Sequence, residues 1–150
     1  MVGLVYIAAF ALDKGESMSQ QLGLGPHPTL SHLGVDARGF AWLPKDDFLD
    51  HFASDVDPVK AQVMFAVQQP LQMSVFEDAM GVPAWKRLPC RYLVATDDDS
   101  IPPDVQRKFA ARMGAETVEV ESSHVAMVSH PEVAVAMIKS AAGAVTTADG

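Results

Sequence analysis

The sequence predicts an α/β fold built on a parallel sheet, and two features of the chain support that prediction. Three short runs rich in β-branched and aromatic residues are each long enough for one strand, at residues 4–10, 92–96 and 117–120. Helical patterns follow the second and third runs, at residues 104–113 and from Ser129 onward. Because alternating strands and helices favour right-handed crossovers, we expect the three strands to pair in parallel and in sequential order.

The first strand lies in an apolar stretch, residues 2–12, that ends at Asp13 and Lys14. This stretch is about half as long as a membrane-spanning helix must be. No basic residue precedes it, so it does not have the pattern of a secretory signal. We therefore expect a buried strand, no membrane partner and a cytoplasmic protein, and the single cysteine, Cys90, fits a reducing compartment.

The stretch between the first two strands, residues 18–83, is called the inserted region below. Glycine and proline are frequent between residues 20 and 45, which predicts loops with short helices at most. The whole chain, residues 1–150, is then expected to form one domain. Its core segments, residues 2–12 and 88–142, would carry a mainly helical inserted region.

The second half of the inserted region shows helix signals. Phe48 and Phe52 lie four residues apart, and Asp57 precedes a proline, as at the start of many helices. The apolar residues of the helix after Asp57 are expected to form its buried stripe: Val59, Val63 and Ala66.

The last third of the chain has clear helix boundaries. Gly114 should end the helix at residues 104–113, and residues 129–132 have the spacing of a capping box that opens a final helix. The first of these helices is expected to bury Val105, Phe109 and Met113, and the second Val133, Met137 and Ile138. The small-residue tail, residues 141–150, is expected to fray.

Three consecutive aspartates, Asp97, Asp98 and Asp99, follow the second predicted strand. In open parallel sheets, functional groups lie at the carboxyl ends of the strands. Three adjacent like charges repel each other, so either a cation offsets them or one of them orients a histidine. A solvated turn, with one aspartate capping the next helix, explains these residues equally well when they are considered alone.

His124 follows the third predicted strand, 26 residues after Asp98. A histidine in a loop is by itself more often an exposed bystander. Adjacent parallel strands would bring it to the loop that holds the three aspartates, called the acid loop below, and catalysis by an imidazole needs an acid that fixes its tautomer. The pairing of the two loops therefore favours a catalytic role.

Charge and spacing argue against two other kinds of site. The net charge is -8, with 19 acidic and 11 basic residues and no basic cluster, so no nucleic-acid partner is expected. The other four histidines have no i, i+4 ligand spacing and no cysteine cluster beside them, so neither a metal nor a cofactor is expected. These histidines are His27, His32, His51 and His130.

Three segments of the chain resemble the α/β-hydrolase superfamily: residues 5–10 (VYIAAF), 95–102 (ATDDDSIP) and 123–127 (SHVAM). They are most similar to the small esterases related to plant methylesterases and hydroxynitrile lyases. The resemblance covers residues 4 to about 142. It implies the C-terminal part of an α/β-hydrolase fold, with three parallel strands, flanking helices and the inserted region as a helical cap.

The same resemblance implies part of the catalytic triad of an ester hydrolase. The family's acid position falls on Asp98 and its histidine position on His124. Because three aspartates are adjacent, a slip of one residue to Asp97 or Asp99 remains open, as does a lyase reaction in place of hydrolysis. Several apolar residues of the implied cap could line a pocket or pack among themselves: Met64, Phe65, Leu71, Met73, Phe76, Trp42 and Trp85.

The family's nucleophile elbow, Gly-x-Ser-x-Gly, and its oxyanion loop precede the segment that matches residues 4–10, and this chain has no counterpart to them. Ser17, in a Gly-Glu-Ser-Met-Ser loop, is not expected to replace the nucleophile. We therefore expect this chain alone to be inactive, and a small ester to be the substrate once the protein is completed. The uncovered edge of the first strand would recruit a second copy or a complementing chain. The alternative is a non-catalytic module that binds a partner chain or a small apolar ligand.

Overall fold

Three parallel strands form the main sheet of the protein, and they lie side by side in sequence order. The structure, a computed structural model, describes residues 2–22 and 29–146. These strands are β1 (Leu4–Ile7), β5 (Cys90–Ala95) and β6 (Glu116–Val120). β5 lies in the centre, where Tyr92 is in register with Tyr6 of β1 and with Thr117 of β6. The parallel, sequential sheet expected from the sequence is thus confirmed.

Helices cover both faces of this sheet. They are α4 (Pro103–Met113), α5 (Ala126–Ser129) and α6 (Pro131–Thr146). Alternate residues of β5 point to opposite faces, so Tyr92 packs against Phe109 of α4 and Leu93 packs in a cluster with Met137 of α6. The central strand β5 is therefore packed on both of its faces. No helix in the described part of the chain is both long and apolar enough to cross a membrane.

The ends of these helices agree only partly with the sequence prediction. Gly114 ends α4 in a left-handed conformation, φ +59°, as expected. Ser129 does not form a capping box, because its hydroxyl is paired with that of Ser122. Ile138 is exposed rather than buried. The tail is helical as far as Thr146, so the expected fraying is wrong for residues 141–146, and residues 147–150 lie outside the described part.

The inserted region contains a small antiparallel sheet that the sequence did not predict. The strands are β2 (Gly34–Val35), β3 (Phe40–Trp42) and β4 (Leu71–Gln72), in the order β2–β3–β4. The turn between β2 and β3 is closed by the Asp36 carboxylate, which accepts hydrogen bonds from the backbone N–H groups of Arg38 and Phe40, and Gly39 adopts φ +81°. The turn residues interpreted as a loop thus form a hairpin.

Short helices make up much of the rest of the inserted region. They are α1 (Met18–Leu22), α2 (Lys45–Asp47), a π-helical turn (Phe48–Phe52), α3 (Pro58–Ala66) and 3₁₀ turns at Thr29–His32, Met73–Phe76 and Ala84–Lys86. Phe48 accepts a hydrogen bond on its carbonyl from the N–H of Ala53, five residues on, which closes the π turn. As predicted, Asp57 caps α3 through the backbone N–H groups of Val59 and Lys60.

The buried stripe predicted for α3 is wrong. Val59, Val63 and Ala66 are exposed, and the helix instead packs with Ala61, Met64 and Phe65 facing Phe48. Apolar residues occur on nearly every side of this helix, so its periodicity could not select a face. The aromatic contact between Phe48 and Phe65, with ring centroids 5.7 Å apart, determines the side that is buried.

β1 is shorter than the apolar run that predicted it. It ends at Ile7 because Ala8 has φ +43°, a left-handed conformation that cannot continue a strand. The hydroxyl of Tyr92 accepts a hydrogen bond from the N–H of Ala9 at 3.0 Å and donates one to the carbonyl of Ala9. Burial raises the pKa of Tyr92 well above its usual range, so this hydroxyl stays protonated. One buried phenol thus holds the bend after β1.

The substitution Tyr92→Phe is expected to lower the free energy of unfolding by about 1–3 kcal/mol, because it leaves both backbone groups of Ala9 without their partner. Urea unfolding followed by circular dichroism would measure the loss, and faster amide exchange at Ala9 would locate it. Tyr6→Phe is the matched control, since its ring stacks on Tyr92 at 6.0 Å. Equal losses in the two variants would contradict the role assigned to the Tyr92 hydroxyl.

Candidate active site

Asp98 and His124 form a hydrogen bond where β5 and β6 end. Asp98 follows β5 and His124 follows β6, so the parallel pairing of these strands brings the two loops together. Nδ1 of His124 lies 2.7 Å from Oδ2 of Asp98, which is the contact expected from the sequence. The Asp98 side chain is fully buried, whereas the His124 side chain is 22% exposed. The pair thus has an inner acid and an outer imidazole that solutes can reach.

Four donors surround the carboxylate of Asp98. Oδ1 accepts hydrogen bonds from the backbone N–H groups of Ser100 (2.7 Å) and Ile101 (3.0 Å). Oδ2 accepts one from Nε2 of Gln106 (2.8 Å) and is hydrogen-bonded to Nδ1 of His124 (2.7 Å). A buried carboxylate with this many donors is held in one orientation.

Sequence reasoning missed Gln106. It lies on the buried side of α4 between Val105 and Phe109, and its side chain is completely buried. A signal was present, because a polar residue within the apolar face of a helix must have hydrogen-bond partners. The sequence alone did not show that one of those partners is Asp98.

The other two aspartates of the acid loop do not contact the imidazole of His124. Asp97 is exposed, and its backbone N–H donates to the carbonyl of Ser122. Asp99 pairs instead with His51 of the π turn, with Nδ1 and Oδ2 2.7 Å apart. Of the three positions that the sequence left open, Asp98 is thus the one that faces His124.

The π turn of the inserted region also touches the histidine itself. The ring of Phe52 lies 4.9 Å from the imidazole of His124, with a tilt of 41° between the planes. Ser123, the residue before His124, contacts the Phe52 carbonyl oxygen (3.1 Å) and donates to the Asp55 carboxylate (2.5 Å). The inserted region therefore contacts His124 directly, and it also contacts one residue next to each member of the pair, Ser123 and Asp99.

Asp55 is a second acid near the site, and it contacts Ser123, the residue before His124. Burial by itself would raise the pKa of its carboxyl, but the nearby serine hydroxyls, first among them Ser123, hold that pKa below its usual range. Asp55 is therefore charged at neutral pH. Its contribution to stability is present above the ordinary aspartate pKa and is lost as the pH falls through the lowered value.

A cavity of about 390 Å³ opens beside His124. Its walls come from the bend after β1, the acid loop and the inserted region, and they are largely apolar. The apolar lining residues are Ile7, Phe10, Met18, Leu30, Phe52, Leu71, Phe76 and Ile101, together with Ala8 and Ala9. Among the lining residues in the described part, His124 is the one titratable side chain and Ser100 the one other polar residue.

The structure places only some of the suggested pocket residues in the wall of the cavity. Leu71 and Phe76 line the cavity, whereas Met64 and Phe65 pack in the core of the inserted region and Met73 is not part of the lining. Trp85 lines a different cavity and donates its Nε1–H to the carbonyl of Leu12. Trp42 belongs to β3.

Ser17 lies before α1, and its hydroxyl is paired with that of Ser19 at 3.0 Å. It is buried and is not part of the cavity lining.

Two other histidines also face carboxylates: His32 lies 2.8 Å from Asp47, and His130 lies 3.8 Å from Asp55. His27 lies outside the described residues. No group of three side chains suited to a metal ion occurs within residues 2–22 and 29–146.

Comparisons with known proteins agree with this architecture. The model of the Alpha/beta hydrolase family matches residues 1–137. The α/β hydrolase nvfD of Aspergillus novofumigatus (strain IBT 16806) is 26% identical over 145 residues, which are 95% of this chain and 58% of that protein.

Two solved structures share the fold at low sequence identity. Polyneuridine aldehyde esterase superposes with a TM-score of 0.76 at 16% identity, over 91% of this chain and 61% of that protein. The methylesterase MES16 from Arabidopsis superposes with a TM-score of 0.68 at 19% identity, over 94% of this chain and 59% of that protein. This chain thus spans about three fifths of the length of these relatives. With three parallel strands, their helices and a family model that matches most of its length, the chain belongs to the α/β-hydrolase family.

Proposed function

We propose that this chain supplies the acid and the histidine of the catalytic triad of a carboxylic-ester hydrolase. Asp98 is the acid, His124 is the general base, and the serine nucleophile and oxyanion donors come from sequence outside these 150 residues. The 2.7 Å bond between Asp98 and Nδ1 of His124 is the observation that carries the proposal. The esterases among the structural relatives support it.

The geometry supports a defined proton path. Asp98 accepts from Nδ1–H of the neutral imidazole, which leaves the lone pair on Nε2. Nε2 then takes the proton of the attacking serine and returns it to the leaving alcohol, while Asp98 stabilises the imidazolium formed in between. In the second half of the reaction Nε2 activates a water in the same way, and the acid product leaves.

The cavity supports an uncharged ester as the substrate. Its described walls are apolar apart from Ser100 and His124 and include no Asp, Glu, Lys or Arg, so a charged substrate would lose its hydration without gaining a partner of opposite fixed charge. In this proposal the inserted region acts as a cap, because Leu30, Phe52 and Phe76 of this region line the cavity beside His124. Small apolar acyl or alcohol groups fit such a space.

A second candidate function is a non-catalytic module, and the edge of the main sheet favours it. Within the described residues β1 pairs with β5 alone, so its other edge has free backbone donors and acceptors. A complementing chain or a second copy could add a strand there, and the cavity could hold an apolar ligand without turnover. Size-exclusion chromatography and an ester assay separate this candidate from the hydrolase.

The decisive experiment joins this chain to the N-terminal part of an α/β hydrolase, taken from in-frame coding sequence upstream or from a relative. The joined protein is expected to hydrolyse p-nitrophenyl acetate, and His124→Ala should reduce kcat by roughly 10⁴-fold or more because the triad acts as a unit. Asp97→Asn, an exposed neighbour of the acid, is the matched control and should retain activity.

The chain by itself provides a second test of the proposal. It should not hydrolyse p-nitrophenyl acetate faster than its own His124→Ala variant, and a fluorophosphonate should not label it, because the nucleophile and the oxyanion donors are missing. Stoichiometric labelling of Ser17 or Ser19 would show instead that the chain carries its own nucleophile. A joined protein that folds, binds esters and shows no His124-dependent turnover would favour the binding module.

A further inference from the structure

We propose that Gln106 is a positioning residue, which fixes the orientation of Asp98 and through it the tautomer of His124. The catalytic consequence rests on the function proposed above, whereas the positioning itself does not. The hydrogen bonds of the Gln106 side chain go to Ala95, Asp98 and Ile101, and Gln106 lies outside the cavity lining, so we expect its effect on the imidazole to pass through the acid.

All hydrogen-bonding groups of the Gln106 amide are occupied. Its Oε1 accepts from the backbone N–H of Ala95 at 3.0 Å. Its Nε2 donates to Oδ2 of Asp98 at 2.8 Å and to the carbonyl of Ile101 at 2.7 Å. The side chain is completely buried, so water cannot replace these partners.

The contact with Ala95 also determines which atom of the Gln106 amide, Oε1 or Nε2, faces each partner. A backbone N–H can only donate, so the amide oxygen must face Ala95, and the NH₂ group must face the carboxylate. The last residue of β5 therefore sets the orientation of Gln106, and Gln106 in turn directs a donor at Oδ2 of Asp98.

Oδ2 is the oxygen that matters for the histidine. Oδ1 is held by two backbone N–H groups of the acid loop, while Oδ2 is shared by Gln106 and His124. Without Gln106 the buried oxygen Oδ2 has one donor fewer, and the carboxylate can rotate away from the plane of the imidazole. The preference of the imidazole for a proton on Nδ1 should then weaken.

Gln106→Leu on the chain itself tests this proposal by nitrogen NMR of the His124 ring, at a pH where the ring is neutral. The wild-type ring should carry its proton on Nδ1. In Gln106→Leu the share of the Nε2–H form should rise about tenfold or more, the lower limit being the factor for the weakest hydrogen bonds to charged groups. Unchanged ring nitrogens in a folded Gln106→Leu chain would overturn the proposal and leave Gln106 a purely structural residue.

Gln106→Glu provides a second test if the leucine variant does not fold. Glutamate keeps an acceptor for Ala95, and it can donate to Asp98 only while it is protonated. Burial and the adjacent Asp98 should raise the pKa of the new carboxyl, so its stability relative to wild type should fall as the pH rises from about 5 to about 8. Gln62→Glu, at an exposed position of α3, is the matched control and should show no such slope. A flat difference at position 106 would overturn the proposal.

Neither readout depends on ester hydrolysis. Failure of the ring-nitrogen test would remove the role of Gln106 and leave the esterase proposal standing. Absence of His124-dependent turnover in the joined protein would do the reverse. In an active joined protein, Gln106→Leu should lower kcat about tenfold with little change in KM, because the cavity that binds the substrate is not altered.

Discussion

Asp98→Asn is expected to lower the free energy of unfolding by about 3 kcal/mol or more. Asparagine has nearly the same shape, but an NH₂ group takes the place of one carboxylate oxygen. If its oxygen keeps the backbone N–H groups of Ser100 and Ile101, the NH₂ faces two other donors, Gln106 and Nδ1–H of His124. Chemical unfolding measures the loss, and a His124 ring protonated on Nε2 in NMR spectra shows that the tautomer has changed.

The matched control for this variant is Asp97→Asn. Asp97 carries the same charge one residue away but is exposed, so its substitution should change stability by less than about 0.5 kcal/mol. Two equal, small losses would mean that Asp98 is an ordinary turn residue, the explanation that the sequence left open. In a joined, active protein Asp98→Asn should lower kcat by roughly 10⁴-fold, as expected when a triad acid no longer fixes the imidazole.

Phe48→Ala is expected to destabilise the protein by about 3–5 kcal/mol. Phe48 is 4% exposed and is the centre of an aromatic cluster in the inserted region, with Phe52 at 5.0 Å and Phe65 at 5.7 Å between ring centroids. Its loss leaves a cavity that the π turn and α3 cannot both fill. Thermal unfolding should show a fall in Tm of roughly 10 °C or more, and Phe52 should lose its fixed position against His124.

Val59→Ala is the control for Phe48→Ala. Val59 is 71% exposed on α3, and alanine is the better helix former, so this change should be neutral or slightly stabilising. If Val59→Ala or Val63→Ala instead cost more than Phe48→Ala, α3 would be rotated so that the stripe predicted from the sequence is the buried one. The two variants therefore decide which face of α3 packs.

The proximity of the three aspartates to His124 could be predicted from the sequence because it depends on topology alone. Asp98 and His124 follow two strands that are adjacent in the sheet, of which β5 is recognisable by its apolar run and β6 by its β-branched residues. Choosing Asp98 among three aspartates depended on a family resemblance, since like residues in a row have no distinguishing pattern. The structure distinguishes them by their partners, with Asp98 on His124 and Asp99 on His51.

The contacts that surround the pair could not be predicted in the same way. Gln106 lies 8 residues from its partner Asp98, Phe52 lies 72 residues from His124, and Asp55 lies 68 residues from Ser123. No local sequence pattern requires any of these contacts. Such side-chain contacts depend on how whole helices and strands are oriented. The sequence pattern predicted neither the buried face of α3 nor the hairpin at β2 and β3. The core sheet was thus predictable, and the inserted region was only partly so.

The π turn at Phe48–Phe52 has a consequence for evolution and engineering of the chain. A π turn is one residue wider than an α-helical turn, so each side chain after it is displaced by about 100° relative to a regular helix. Deleting one residue here would restore a regular helix and turn His51 and Phe52 away from Asp99 and His124. Homologous chains should therefore keep the length of this turn constant, and a designer who shortens this protein should leave residues 48–52 intact.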